Sequence, residues 1–336
     1  MAAVTDAAAA LPGIRFDWVV EDSLADIPRL HAAVDRIIPL ASHRWRRNPL
    51  RFIALGEYHA LRNALRVRHY DAIIDAQGLL KSALLSRLAQ GPRYGLDRAS
   101  VREPLASLAY DRTLTIPKAT HAVPALRRLF STALSYPHPT TAPVIGIDRT
   151  RLAPRTTKRS AIVLLHGTKW TSKHWPDQYW IELAQLVAAA GFEVWLPAKT
   201  ATECHRASNI AANCPNARLL PLSRLGGLVR TLAGAQGVVG IDTGLAHLSA
   251  ALDIPTVMLF GPTDPLRTGA IGRHHRNLAA NFPCAPCLRR QCHYRGPTRV
   301  QPACFDALPP AQVFNELKAS MAQAEGTSEP LNSPAE

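Results

Sequence analysis

The chain has no stretch of about 18 consecutive apolar residues, so no membrane-spanning helix is expected. Its start, Met1 to Leu11, carries no basic residue ahead of the apolar part, which argues against a secretory signal. Without an export signal, the six cysteines are expected to be reduced thiols in a cytoplasmic protein. No segment repeats at a solenoid period, and no nucleic-acid reader motif occurs, so no nucleic-acid partner is expected. Acidic residues are also few. There are 25 of them against 39 Lys and Arg, which leaves a net charge of +14. That balance favours an acidic partner, such as an anionic membrane face or a phosphorylated glycolipid. A generally arginine-rich composition produces the same balance.

The chain does have length and alternation. Its 336 residues suffice for two domains of ordinary size, and 47% apolar residues is a globular composition. Strand-like and helix-like segments alternate, which predicts an α/β fold with parallel sheets. In the first half, Arg15–Val20, Arg36–Pro39 and Tyr70–Ala76 read as strands, and 52–67, 79–90 and 120–134 as helices. Residues 136–158 are rich in Pro, Thr and Arg, with weak periodicity, and read as a linker. The second half alternates cleanly. Strands are predicted at Ala161–Leu165, Phe192–Leu196, Ala217–Leu220, 237–241 and 255–260. Helices are predicted at 177–190, 202–212, 223–234, 243–252 and Pro309–Ala324. The expected organisation is therefore an N-terminal domain over 1–145, a C-terminal domain over 158–325 and a disordered tail over 326–336.

The most telling run is Gly240-Ile241-Asp242-Thr243-Gly244-Leu245-Ala246-His247, followed by Pro255 to Phe260 and Gly261-Pro262-Thr263-Asp264-Pro265. A buried strand ends here, and Asp242 or Thr243 is expected to cap the helix that starts at once. Gly244 leaves room for a ligand to approach the backbone. Free N–H groups at a helix start, at the carboxyl end of a parallel strand, form an anion site suited to a nucleotide diphosphate.

These residues resemble the donor-site signature of glycosyltransferase family 9, the bacterial ADP-heptose:lipopolysaccharide heptosyltransferases. The segments Phe16–Glu21, Tyr70–Ser82, Arg102–Ser107 and Lys173-His174-Trp175-Pro176 are similar to the members that add the first heptose to Kdo-lipid A. The resemblance implies a GT-B fold of two doubly wound, Rossmann-like domains facing a cleft, with the acceptor held by the first and the donor by the second. It implies inverting transfer of heptose from ADP-heptose to Kdo-lipid A at the cytoplasmic face of the inner membrane, without a cofactor or metal. Members open with a strand and a Gly-containing loop whose aspartate is the general base, and this chain aligns just after that loop. The expectation is that one strand and that aspartate lie upstream of Met1, and that activity depends on them.

Carried over residue by residue, Lys173 stabilises the departing diphosphate, with Thr168 and Lys169 in the same loop; Lys169 stands where a small hydroxyl residue is usual. Asp242, Thr243 and Gly244 match the donor-binding run, and His247 lies one helical turn past Thr243. Glu203 matches a ribose-binding position and Ser223 an adenine contact. The plainer alternatives are a solvated lysine at 173, a cap at Asp242, a core histidine at 247 and an exposed helix residue at 203. For an acceptor bearing phosphates and carboxylates, Arg62, Arg66, Gln77, Gly78, Lys81, Arg98 and Arg102 are candidates, because arginine pairs bidentately with such groups. The run His43-Arg44-Trp45-Arg46-Arg47 could touch anionic headgroups or be a basic surface loop.

Cys284, Cys287, Cys292 and Cys304 could hold zinc or stay free. They also resemble a cluster in the second heptosyltransferase of the pathway, which keeps that enzyme as an alternative. A nucleotide-sugar epimerase and a non-catalytic binding protein are the alternatives of other classes.

Overall fold

In the computed structural model of the chain, residues 1–47, 56–147, 149, 152, 160–222 and 225–326 are described. Contacts divide it into two units, Met1–Gly146 and Ile147–Glu336.

The first unit runs α1 (Ala2–Ala10), β1 (Phe16–Glu21), β2 (Val34–Leu40), α2 (Ser42–Arg47), α3 (Glu57–Arg66), β3 (Ile73–Ile74), α4 (Leu80–Ser86), β4 (Arg93–Leu96), the 3-10 helix Pro104–Ala109, β5 (Arg112–Leu114) and α5 (Ala122–Ala133). Its strands form two parallel sheets, β1-β2 and β3-β4-β5. Among the described residues, β1 and β3 each carry a ladder on one edge only. The alanine-rich face of α1 packs on α5 through Ala3, Val4 and Phe130. The contact is pinned by Arg127, which donates to both carboxylate oxygens of Asp6 at 2.5 and 3.1 Å. Arg127 is 4% exposed, and a charge so buried is tolerable only when paired in this way.

The predicted strand 70–76 shrinks to two residues. Its end is bent into a turn by the buried Asp75, whose carboxylate accepts from the N–H groups of Gln77 and Gly78 and from the hydroxyls of Ser82 and Tyr110. The predicted helix over 52–67 is helical over Glu57–Arg66, and 52–55 lie outside the described residues. So do most of 150–159 and all of 327–336.

The second unit runs β6 (Ala161–Leu165), α6 (Asp177–Ala189), β7 (Glu193–Ala198), α7 (Ala201–Ala212), β8 (Ala217–Pro221), α8 (Leu225–Gly234), β9 (Gly237–Ile241), α9 (Gly244–Ala251), β10 (Thr256–Phe260), α10 (Pro265–Thr268), β11 (His275–Ala279) and α11 (Pro310–Gly326). Its six strands are all parallel, in the order β11-β10-β9-β6-β7-β8. Strands β6, β9 and β10 are buried along their whole length, as expected of a sheet covered on both faces. Trp175 and Trp180, both fully buried and stacked edge to face, anchor the core, and the Trp175 indole donates to the carbonyl of Leu308. The chain leaves β6 toward one side of the sheet and returns at β9 to build the other. The order therefore reverses between these two neighbours, and Leu165 sits opposite Gly240 in their ladder. Such a reversal opens a crevice beyond the carboxyl ends of the two strands, where ligands bind in open α/β sheets.

Candidate functional site

Two loops meet at that reversal. The first leaves β6 at His166 and reaches a 3-10 turn, Thr171–Lys173; the second leaves β9 at Asp242 and enters α9. They are joined by charge. Lys173 Nζ donates to Asp242 Oδ2 at 2.7 Å and to the Asp242 carbonyl at 3.1 Å. On the other carboxylate oxygen, His247 Nε2 lies 3.2 Å from Asp242 Oδ1. Burial by itself would raise the Asp242 carboxyl. The hydrogen bonds from His247 and Lys173, with the ammonium charge, outweigh it and hold the pKa down at about 2. Asp242 is therefore ionised at any physiological pH.

The cap expected here does not form. Thr243 occupies the N-cap position with extended backbone, but no side chain accepts a hydrogen bond from the first turn. Asp242 is turned toward Lys173 and His247 instead, because an ion pair to a nearby ammonium is the stronger contact for a buried carboxylate. The first-turn N–H groups of α9 thus keep no side-chain cap. A Cβ at Gly244 would meet no heavy atom within 4 Å, so the space beside that residue is open.

Lys173 is held from behind by a ring of its own loop and by a segment far away in sequence. Its Nζ lies 4.8 Å from the centre of the Trp170 ring, and the Arg290 guanidinium lies 5.6 Å from the same ring. The backbone of Arg289 and Arg290 fixes the turn: Ser172 Oγ donates to the Arg289 carbonyl at 2.6 Å, and Ser172 N and Thr171 Oγ1 each donate to the Arg290 carbonyl at 3.1 Å. These partners are separated by well over a hundred residues, so no local pattern announces them.

At the start of the first loop, His166 is fully buried and neither ring nitrogen has a hydrogen-bond partner. Burial, with the nearby Arg206 charge, pushes its pKa down to about 4, so the ring is neutral at physiological pH. Thr168 Oγ1 accepts weakly from Trp170 N at 3.4 Å, and Lys169 is exposed. Glu203 sits in the third position of α7, where its Oε2 accepts from the N–H groups of Lys199 and Thr200 at 2.9 Å each. With Thr200 as the N-cap this is a reciprocal capping box. Its Oε1 lies against Gly167, where a Cβ would come within 2.4 Å of it, so a larger residue there would displace the Glu203 carboxylate. Ser223 lies outside the described residues.

The acceptor candidates divide. Gly78 adopts a φ of +64°, and a Cβ there would lie 2.9 Å from Val101 and 3.5 Å from the Arg102 backbone nitrogen. Glu103 N donates to the Gly78 carbonyl, and Leu80 N to the Glu103 carboxylate at 2.7 Å. Gln77, Lys81 and Arg102 are thereby carried on adjoining segments and all three are exposed; Arg98 is exposed in the preceding loop. Arg62 is on α3, and no contact links it to this group among the described residues. Arg66 donates to the Leu88 carbonyl.

The four cysteines border one cavity of about 500 Å³, together with Gly261 and Ser172. Burial pushes the Cys304 thiol up to about 12, and burial and the other cysteines raise Cys284 as well, so both are protonated near neutral pH. Among the described residues, no group of three His, Cys, Asp or Glu side chains is placed to hold a metal ion.

A model of the family described as glycosyltransferase family 9 (heptosyltransferase) matches residues 58–297. The chain is 48% identical over 330 residues to lipopolysaccharide heptosyltransferase 1 of Pseudomonas aeruginosa, covering 95% of this chain and 93% of that protein. The solved structure of E. coli heptosyltransferase WaaC with ADP matches with a TM-score of 0.79 at 44% identity, covering 83% of this chain and 88% of that one. The structure of that enzyme with ADP-2-deoxy-2-fluoro heptose matches with a TM-score of 0.74 at 44% identity, covering 81% and 87%.

Proposed function

The chain belongs to glycosyltransferase family 9, the heptosyltransferases, and from that premise we propose that it moves heptose from ADP-heptose to Kdo-lipid A with inversion, at the cytoplasmic face of the inner membrane. Its fold is the parallel-sheet α/β fold of the GT-B heptosyltransferases, and it is a heptose-transferring enzyme of lipopolysaccharide core synthesis. The observation that carries the donor assignment is the Lys173–Asp242–His247 constellation at the β6/β9 reversal.

Transfer leaves negative charge on the ADP diphosphate, and a fixed ammonium facing that charge lowers the barrier. An ammonium has three donors. Two of those on Lys173 go to Asp242, and the third is the one we assign to a phosphate oxygen. Asp242 thereby acts as a positioning residue that holds the lysine charged and directed. The Thr243 and Gly244 N–H groups bind phosphate, and His247 contacts phosphate or heptose. Thr168 and Lys169 add donors to the same phosphates. The Glu203 Oε1 that the capping box leaves over is the acceptor for the ribose diol, and Ser223 is a weaker adenine candidate. Gln77, Lys81, Arg98, Arg102 and Arg62 are the acceptor-side candidates.

The test is a donor and acceptor matrix on protein expressed from its full open reading frame. ADP should be released from ADP-heptose only when Kdo-lipid A is present. Conversion of ADP-heptose without acceptor would instead favour a nucleotide-sugar epimerase.

A further inference from the structure

The sequence offers 43–47 as a lipid-facing segment or as a basic surface loop. There the exposed Arg44 and the half-buried Trp45 indole both donate to the Glu57 carboxylate, at 2.9 and 2.5 Å, which engages both in contacts within the protein. A different face of the first unit is apolar and open. Leu80, Leu84, Leu105 and Leu108 are 41%, 63%, 57% and 72% exposed. They lie on two elements that pack on each other, α4 and the 3-10 helix Pro104–Ala109. Ala83, Ala106 and Ala109 fill the seam between them, and the Leu80 to Glu103 hydrogen bond ties their starts together. Leu80 and Leu84 are one α-turn apart, and Leu105 and Leu108 one 3-10 turn apart, so each pair forms a ridge. A single exposed leucine needs no explanation. Four on two packed elements make a patch.

The charge around it is one-sided. Residues 79–112 contain six basic and three acidic side chains. All three carboxylates are engaged: Glu103 by Leu80 N, Asp97 by Ser100 and Thr115, and Asp111 by Arg93. Lys81, Arg87, Arg98 and Arg102 are exposed and make no ion pair among the described residues. Exposed leucines on a segment whose exposed cations make no ion pair suit a surface with anionic headgroups over an acyl layer. The ridges also adjoin Gln77, Lys81 and Arg102, the candidate acceptor loops.

The geometry points to this face as the membrane-docking surface: the leucine ridges of α4 and the 3-10 helix Pro104–Ala109 enter an anionic leaflet while Lys81, Arg87, Arg98 and Arg102 hold its headgroups. An acceptor anchored by acyl chains then reaches the protein without leaving the bilayer. The inference rests on the reading of the acceptor as a lipid-anchored sugar.

The test is flotation with phosphatidylcholine vesicles, with and without phosphatidylglycerol, on the wild type, Leu84→Glu/Leu108→Glu and the milder Leu84→Gln/Leu108→Gln. Folding is checked by circular dichroism, and transfer is measured on an acyl-free Kdo acceptor. The wild type should float with the anionic vesicles and little with the neutral ones. Both double variants should bind at least about tenfold more weakly, while transfer to the acyl-free acceptor is unchanged. Equal flotation of a folded variant and the wild type, or no flotation of the wild type, overturns the inference. A change of oligomeric state by light scattering with vesicle binding intact also overturns it, since the face would then belong to a second copy of the chain. If the wild type floats as expected but transfers no heptose to any acceptor, the functional reading fails and the docking surface stands.

Discussion

Lys173 has the best-defined task at the scale of single residues. If its ammonium faces the developing charge on ADP as proposed, replacement by alanine should lower kcat by about 10²-fold or more. Steady-state turnover near the wild-type value would take Lys173 out of the mechanism. Asp242→Asn keeps the shape and removes the charge that orients the lysine. It should weaken ADP-heptose binding more than acceptor binding, as calorimetry with each ligand would reveal; an unchanged donor affinity would leave Asp242 a structural role only.

The same two loops set a pH response. The folded pKa of His166 lies at about 4, below its ordinary 6.5, so the unfolded chain takes up protons first as pH falls. Stability contributed by the neutral ring is complete above about 6.5 and is lost as pH drops toward 4. Asp242, held down at about 2 from 3.8, contributes stability above its unfolded value that is lost as pH falls through 2, on the order of 2 kcal/mol. Urea unfolding as a function of pH should show the upper loss flattened in His166→Gln and the lower one in Asp242→Asn. Unaltered pH profiles would mean that neither group is perturbed as described.

For the elements, the loop that follows β3 gives the sharpest prediction. Gly78 has a positive φ and no room for a methyl group beside Val101. Gly78→Ala should destabilise the protein by roughly 1–2 kcal/mol and raise KM for the acceptor with little effect on the donor. A variant as stable as the wild type with normal acceptor KM would show that the close approach to 101–102 is dispensable.

The elements also show what could be read in advance. Strands β6 and β9 fall on the predicted 161–165 and 237–241, because a strand buried on both faces is written as a continuous apolar run. Strands β4, β5 and β11 were not predicted. They are three to five residues long, only partly buried, and carry Arg, Asn or His among their side chains, so neither run length nor alternation marks them. The site divides in the same way. Asp242 and His247 lie in one local run, and Lys173 stands beside a recognisable His-Trp-Pro, so their meeting could be anticipated. Arg289 and Arg290 become visible only once the fold brings distant loops together, and the buried His166 ring, whose nitrogens have no hydrogen-bond partner, only once burial is known.

Over the whole molecule, the net charge of +14 includes exposed or site-lining cations on each unit. In the second unit Lys173 lies at the proposed diphosphate site, over the Trp170 ring that Arg290 also stacks on. In the first, the cations around the leucine ridges face the proposed bilayer. Sheet order explains why the proposed donor residues gather at one point: at the β6/β9 reversal the loops that follow the two strands meet, and Lys173 of the first pairs with Asp242 of the second.

The product of the reaction is the most direct test of the proposed transfer. Kdo-lipid A incubated with ADP-heptose and the protein from its full open reading frame, then read by mass spectrometry, should gain one heptose for each ADP formed, with the anomeric configuration of the donor inverted. Unmodified Kdo-lipid A beside free heptose, or beside an epimerised nucleotide sugar, would contradict it.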